Sequence, residues 1–201
     1  MDAPKAGLRQ RIFAWALARF NSRYEDFIAP RKKSLFAGIS GTLIEIGPGT
    51  GVNLRYLAPE RVQWIGIETN PFMRSRLLRE ADRLGMRVDM RMGTADSLPA
   101  ADASVDAVVC TLVLCCVPDQ QRSLREVLRV LKPGGTFHFI EHVAAPRGSR
   151  LRRIQNFVTP FWSRLGDGCH PNRETLSAIE RAGFASVSFE SIEAPPPIVS
   201  P

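Results

Sequence analysis

Glu45-Ile46-Gly47-Pro48-Gly49-Thr50-Gly51, directly behind the apolar pair Leu43-Ile44, reads as a strand running into a glycine turn. Glycines at 47, 49 and 51 remove the side chains that would hold a ligand off the main chain, and they permit backbone conformations closed to other residues. An adenosine-containing cofactor fits such a turn. The dinucleotide fingerprint G-x-G-x-x-G would place its third glycine at position 52, which is Val52; the pattern here is G-x-G-x-G. Glu45 points the same way, because a carboxylate beside the loop suits a cationic ammonium and repels a pyrophosphate.

Gln63-Trp64-Ile65-Gly66-Ile67 reads as a second strand, with Glu68 and Thr69 at its carboxyl end. An acid about twenty residues beyond the glycine turn commonly accepts the ribose hydroxyls of a nucleotide. The structural alternative is a carboxylate that caps the turn at Asn70-Pro71. Strands and helices alternate through the remainder, so the expected fold is α/β, a doubly wound, mostly parallel Rossmann-like sheet. Strands are expected near 42–46, 63–68, 87–92, 106–111, 136–142 and 185–192. A helix should open near Pro71 and stop at Gly85; another should run from Gln120 to Leu131, where Lys132-Pro-Gly-Gly135 breaks it.

The chain resembles the class I S-adenosylmethionine-dependent methyltransferases from about Ala18 to Pro195. Besides the glycine turn, Ser104–Cys115, Arg125–Gly135 and Phe139-Ile-Glu-His-Val143 are similar to the microsomal alkyl-thiol S-methyltransferase branch. So are Asp167-Gly-Cys169, Arg173-Glu174 and Ile179–Phe184. The resemblance implies S-adenosylmethionine as cofactor, with Glu45, Gly47, Pro48, Gly49 and Gly51 forming the turn. Asn53, at the start of the following helix, would reach the methionine carboxylate, and Glu68 with Thr69 would take the ribose. Gly93–Pro99 resembles the adenine loop; the usual acid's place is Thr94, followed by Ala95, and the acid is displaced to Asp96, leaving Asp96 or a backbone carbonyl to meet the amine. Thr111 and Leu112 would flank the transferred methyl group.

Enzymes that methylate amide-like nitrogens typically carry a polar Pro-Pro-aromatic tetrad after strand four, whereas Thr111-Leu-Val-Leu114 stands there in this chain. The expected acceptor is therefore small and apolar, foremost a thiol, with Phe157, Phe161 and Trp162 as candidate pocket walls. A thiol must ionise to attack, which makes His142 the candidate base and Asp167 the residue to orient His142 or His170. A quinol carbon or oxygen and a phospholipid nitrogen are the alternative acceptors. A cofactor-binding module without catalysis is the reading from another class, and a nicotinamide oxidoreductase would need the glycine missing at 52.

The 201 residues accommodate one domain: an amino-terminal helical lid over 1–40, the cofactor-binding domain over 41–195 and a tail over 196–201. Leu8, Ile12, Phe13, Ala16, Leu17 and Phe20 recur at helical spacing with arginines between them, predicting an amphipathic helix that packs as a lid or lies on an anionic membrane. The net charge of +7 collects at Arg9–Lys33 and Arg147–Arg153 without interleaved aromatic platforms, so a solvated face is expected and no nucleic-acid partner. Cysteines at 110, 115, 116 and 169 form no C-x-x-C pair, so no metal site is expected. With no span-length apolar run or signal-peptide centre, the expected location is cytoplasmic. The closing Ala194-Pro-Pro-Pro-Ile-Val-Ser-Pro201 is a poor strand, because proline donates no ladder hydrogen bond. Either the chain is trimmed there or the sheet lacks the seventh strand, which in the resembled fold inserts between strands five and six.

Overall fold

The computed structural model describes residues 7–20 and 22–193. Two helices, α1 (Leu8–Phe20) and α2 (Ser22–Phe36), precede β1 (Gly41–Ile46), β2 (Val62–Glu68), α3 (Arg74–Arg83) and β3 (Val88–Met92). Next come β4 (Val105–Thr111), α4 (Gln120–Val130), β5 (Leu131–Ile140), α5 (Arg150–Leu165) and α6 (Thr175–Glu180). All four strand pairings are parallel, in the order β3-β2-β1-β4-β5. The chain steps outward from β1 to β3 and then returns to lay β4 against β1. The crevice over the carboxyl ends of β1 and β4 is thus a topological switch point, where open α/β sheets bind ligands.

The strands read as nearly continuous apolar runs because both faces of the sheet are covered. Ile44, Val108 and Cys110 pack with Leu124, Val127 and Ile179 on the side of α4 and α6. Leu43, Ala107 and Val109, one residue out of phase, pack with Phe36, Trp64 and Leu77 on the side of α2 and α3. Element ends follow local chemistry. Asp119 caps α4 by accepting from the Arg122 amide at 3.0 Å. Gly85 closes α3 at φ +64°, with the Met86 amide donating back to the Ala81 carbonyl at 2.9 Å.

Three expectations change. The helix after the glycine turn shrinks to a single 3-10 turn, Leu54–Tyr56. Leu131 belongs to β5 rather than α4, and the β4–β5 register jumps from Val105↔Leu131 to Ala107↔Thr136, so Lys132–Gly135 bulges out. Lys132 pins that bulge through a 2.8 Å pair with Asp106. No strand forms over 185–193. In the resembled fold strand six pairs with strand seven, and among the described residues nothing supplies that partner; the tail from 194 onward, on which the seventh-strand expectation falls, lies outside the described residues. Residues 185–193 instead run back toward α2, where Glu190 meets Arg31 at 3.1 Å, and Phe184 stacks on Phe137 of β5 at 5.5 Å.

The amphipathic reading of α1 is also too simple. Phe13 and Leu17 face inward over the switch point, while Leu8, Ile12 and Trp15 are 73, 55 and 54 % exposed. The helix is apolar on two faces.

Candidate active site

A cavity opens over the ends of β1, β2 and β4, floored by Gly47, Pro48 and Gly49 and walled by Glu68, Thr69, Thr111, Leu112 and Val113. Phe13 and Leu17 of α1 and Tyr24, Glu25 and Lys32 of α2 roof it. The turn keeps its shape only with glycine: Gly47 sits at φ +61°, and a Cβ there would stand 2.5 Å from Val113 Cγ2. Leu112 holds φ +58°, a left-handed conformation costly for a branched side chain, which turns the end of β4 into the cavity wall.

Two acids organise the turn from different sides. Glu45 is fully buried beneath it, with Oε1 accepting from Asn53 Nδ2 and Oε2 from Trp64 Nε1, each at 2.8 Å. Burial pushes its carboxyl up, and the two hydrogen bonds oppose that rise. It does not line the cavity, so the ammonium partnership expected of it is not formed by this geometry. Glu68 does line it: Oε2 accepts from the Gly49 amide at 3.0 Å, and Oε1 from the amides of Thr69 and Asn70 at 2.9 and 2.8 Å. Desolvation raises the Glu68 carboxyl too, against those three donors. A carboxylate offers about four acceptor sites, so Glu68 caps the turn and still keeps capacity for a ligand hydroxyl.

Asn53 stands at the start of the 3-10 turn without capping it through its side chain; its amide is spent on Glu45 and on Thr111 Oγ1 at 3.0 Å, and its Oδ1 is buried without a partner among the described residues. The Gly51 carbonyl accepts from the Leu54 amide where the 3-10 turn begins, Ala95 packs in the core, Thr94 pairs with Ser97 in a local bridge, and Asp96 lies 3.7 Å from Arg122. None of these reaches the cavity wall. Phe157 and Phe161, expected as pocket walls, are 76 and 63 % exposed on α5, and Trp162 does not line the cavity either; Phe13, Leu17, Met73, Leu112 and Val113 supply the apolar wall.

Asp167, at φ +50°, lines the cavity, but among the described residues no hydrogen bond joins it to a histidine. His170 donates from Nδ1 to the Gly168 carbonyl at 2.6 Å. His142 stands behind Cys169, Nδ1 to Sγ 3.4 Å, and Cys169 rather than His142 meets the cavity. Cys115, Cys116 and Cys169 gather within 4.8 Å of one another. Contacts with Cys115 and Cys116 hold the Cys169 thiol well below the usual range, against burial.

Two features escaped the sequence reading. Glu141 accepts from the amides of Val113 and Leu114, both at 2.9 Å, and so fixes the turn after β4. Lys32, read there as part of a solvated basic run, is buried; Ile28, Lys32 and Phe36 at four-residue spacing on α2 are 1, 2 and 2 % exposed. That spacing was the available signal.

The model of the methyltransferase domain family matches residues 44–139, the segment that builds β1 to β5. The human thiol S-methyltransferase TMT1A is 40 % identical over 198 residues, covering 92 % of this chain and 80 % of that protein. The chain belongs to the thiol S-methyltransferase branch of the class I S-adenosylmethionine-dependent methyltransferases. The rat thiol S-methyltransferase TMT1B is 36 % identical over 190 residues, 89 % of this chain and 77 % of its own length. Among solved structures, YcgJ from Bacillus subtilis superposes with a TM-score of 0.61 at 29 % identity, over 76 % of this chain and 64 % of that one. This methyltransferase uses S-adenosylmethionine, and its cavity fits that group. The side-chain-free turn at Gly47 and Gly49 admits close approach, and the adjoining Glu68 keeps hydroxyl-accepting capacity.

Proposed function

We propose that this methyltransferase acts on the sulfur of a small apolar thiol. The observation that carries the reading is the wall after β4, where Leu112 and Val113 face the cavity in place of a polar clamp for nitrogen. The similarity to TMT1A over most of both chains supports it. Bound S-adenosylmethionine supplies an electrophilic methyl group on a sulfonium for in-line displacement. Gly47, Pro48, Gly49, Glu68, Thr69, Thr111 and Leu112 hold the cofactor in this reading. Leu112, Val113 and Phe13 exclude water from the attacking sulfur, and alignment supplies much of the acceleration. Asp167, a carboxylate that lines the cavity beside Glu68 and Glu25, takes the thiol proton, while His142 acts from behind through its contact with Cys169.

The test is release of S-adenosylhomocysteine by purified protein given S-adenosylmethionine and a small alkyl thiol, run beside a quinol and a phosphatidylethanolamine vesicle. Thiol turnover that falls in Asp167→Asn is expected. Methylation of the lipid or quinol without the thiol overturns the reading.

We further propose that the protein works in the cytoplasm against an anionic membrane surface, where apolar thiols partition. The four cysteines are unpaired, as suits a reducing compartment. No helix among the described residues is long and apolar enough to cross a membrane. Leu8 and Ile12 on α1 and Ile154, Phe157, Phe161 and Leu165 on α5 are nonetheless at least half exposed. Arg9 of α1 donates to the Ser163 carbonyl of α5 at 2.7 Å, so the two stripes adjoin, and exposed Arg11, Arg150 and Arg153 flank them. Apolar area rimmed by arginine suits an anionic bilayer. Co-sedimentation with phosphatidylglycerol vesicles, lost in Phe157→Glu/Phe161→Glu while turnover of a soluble thiol persists, is expected. Equal sedimentation of both proteins overturns it.

A further inference from the structure

Lys32 and Glu25 form a buried ion pair on the cavity wall. Lys32 Nζ donates to both Glu25 oxygens, at 2.8 and 2.9 Å, and the side chains are only 2 and 10 % exposed. Pairs such as Arg31–Glu190 and Arg147–Glu174 lie largely in solvent. Removing two charges from water costs several kcal/mol per ion, and well-packed apolar residues would serve stability as well. A pair kept at the wall of a cofactor cavity therefore calls for a chemical reason.

The position of the pair supplies one. Glu68, the hydroxyl-accepting acid, marks the β2 end of the cavity. Lys32 lines the cavity from α2, close enough to Glu45 at the end of β1 to favour that carboxylate's ionised form. Glu25 is close enough to Tyr56 of the 3-10 turn to disfavour the phenolate, and α2 packs on that turn through the Phe36–Tyr56 ring contact at 6.2 Å. The floor between the two ends is Gly47–Gly49. S-adenosylmethionine has matching polarity: a nucleoside at one end and an amino-acid zwitterion at the other.

We infer that Lys32 and Glu25 are the subsite for the amino-acid end of the cofactor, Lys32 binding the α-carboxylate and Glu25 the α-ammonium. An ammonium group has three N–H donors; Lys32 gives two to Glu25 and has a third for the ligand. Glu25, a carboxylate that lines the cavity, takes the part first expected of Glu45, which lies beneath the turn and does not line it. Because both partners come from α2, the helical cover over the sheet reads the cofactor as well as enclosing it. The inference rests on the cofactor assignment and is independent of the acceptor.

Calorimetry without any acceptor tests it. The ligands are S-adenosylmethionine, decarboxylated S-adenosylmethionine, which keeps the amine, and 5′-methylthioadenosine, which lacks the whole amino-acid end. The native protein should bind the full cofactor about ten- to a hundredfold more tightly than the decarboxylated form, the worth of one hydrogen-bonded charge contact. Lys32→Met should erase that preference and leave methylthioadenosine binding unchanged. Glu25→Gln should weaken both amine-bearing ligands and spare methylthioadenosine. Equal affinity of the native protein for all three ligands overturns the inference even where the variants fail to fold, as does a Lys32→Met defect shared equally by methylthioadenosine. Failure of thiol turnover with the ligand preferences intact would sink the acceptor reading alone.

Discussion

Trp64→Phe tests whether the glycine turn rests on a buried, charged Glu45. The indole lies across Gly66, where an added Cβ would meet the ring at 2.2 Å, and it donates Nε1–H to Glu45 Oε2 at 2.8 Å. Phenylalanine keeps most of the packing and removes the donor. A hydrogen bond to a charged acceptor is worth about 1.5–3 kcal/mol, and the smaller ring adds about 1 kcal/mol of lost packing. The expected loss is thus roughly 3 kcal/mol when Glu45 is ionised. The pH dependence follows from linkage. Burial raises the folded-state carboxyl above its unfolded value, so this group's stability term is fully present below the unfolded value and is lost as pH rises through the folded one. Losing Trp64 removes one of the bonds opposing that rise, so the variant's value climbs further and its deficit grows with pH. Urea unfolding of both proteins should show a larger deficit at about pH 8 than at about pH 5, by roughly 1.4 kcal/mol for each unit of additional rise. A deficit equal at the two pH values would refute a Glu45 that ionises between them beneath the turn.

Other predictions concern the turn and the loop before α5. Gly47→Ala forces a side chain into φ +61° and against Val113, so it should cost about 2 kcal/mol and weaken cofactor binding; denaturation and calorimetry check both, and native-like stability would contradict the cradle. Because the Glu68 carboxyl is raised by burial, cofactor affinity should fall on acidification from a pH above the ordinary carboxylate range, and this sensitivity should vanish in Glu68→Gln. Arg147 and Arg152 hold the Glu174 carboxyl down to about 2. Its contribution is therefore present above the unfolded carboxylate value and lost only as pH falls through about 2. Carbon-13 titration of Glu174 should show that depressed midpoint and its return upward in Arg147→Gln/Arg152→Gln; an ordinary midpoint in the native protein would rule these ion pairs out.

How far each feature was legible depended on the distance over which its cause acts. The glycine turn, Glu68 at the end of β2, the stop at Gly85 and the apolar wall after β4 follow from short-range backbone rules and strand periodicity, which a linear sequence carries in full. The five parallel strands were legible for the same reason, since a strand buried on both faces is written as an unbroken apolar run. Strand six, expected over 185–192, does not form, because a local sequence records at most a capacity to pair, and pairing needs a neighbouring ladder that no local pattern encodes.

The side chains whose roles depend on what stands across the crevice were not legible. Glu45 was placed beside the ligand and lies beneath the turn, because Trp64 and Asn53 converge on it from other elements. Phe157 and Phe161 were placed in the pocket and lie outside it, because helical spacing gives a face its character without saying what the face meets. The residues by themselves determined the sheet, the cofactor turn and the chemical class. The packing of α1 and α2 over the sheet decided what roofs the site and turned Lys32 from one of three consecutive basic residues into a buried charge, since burial is a property of the surfaces that meet.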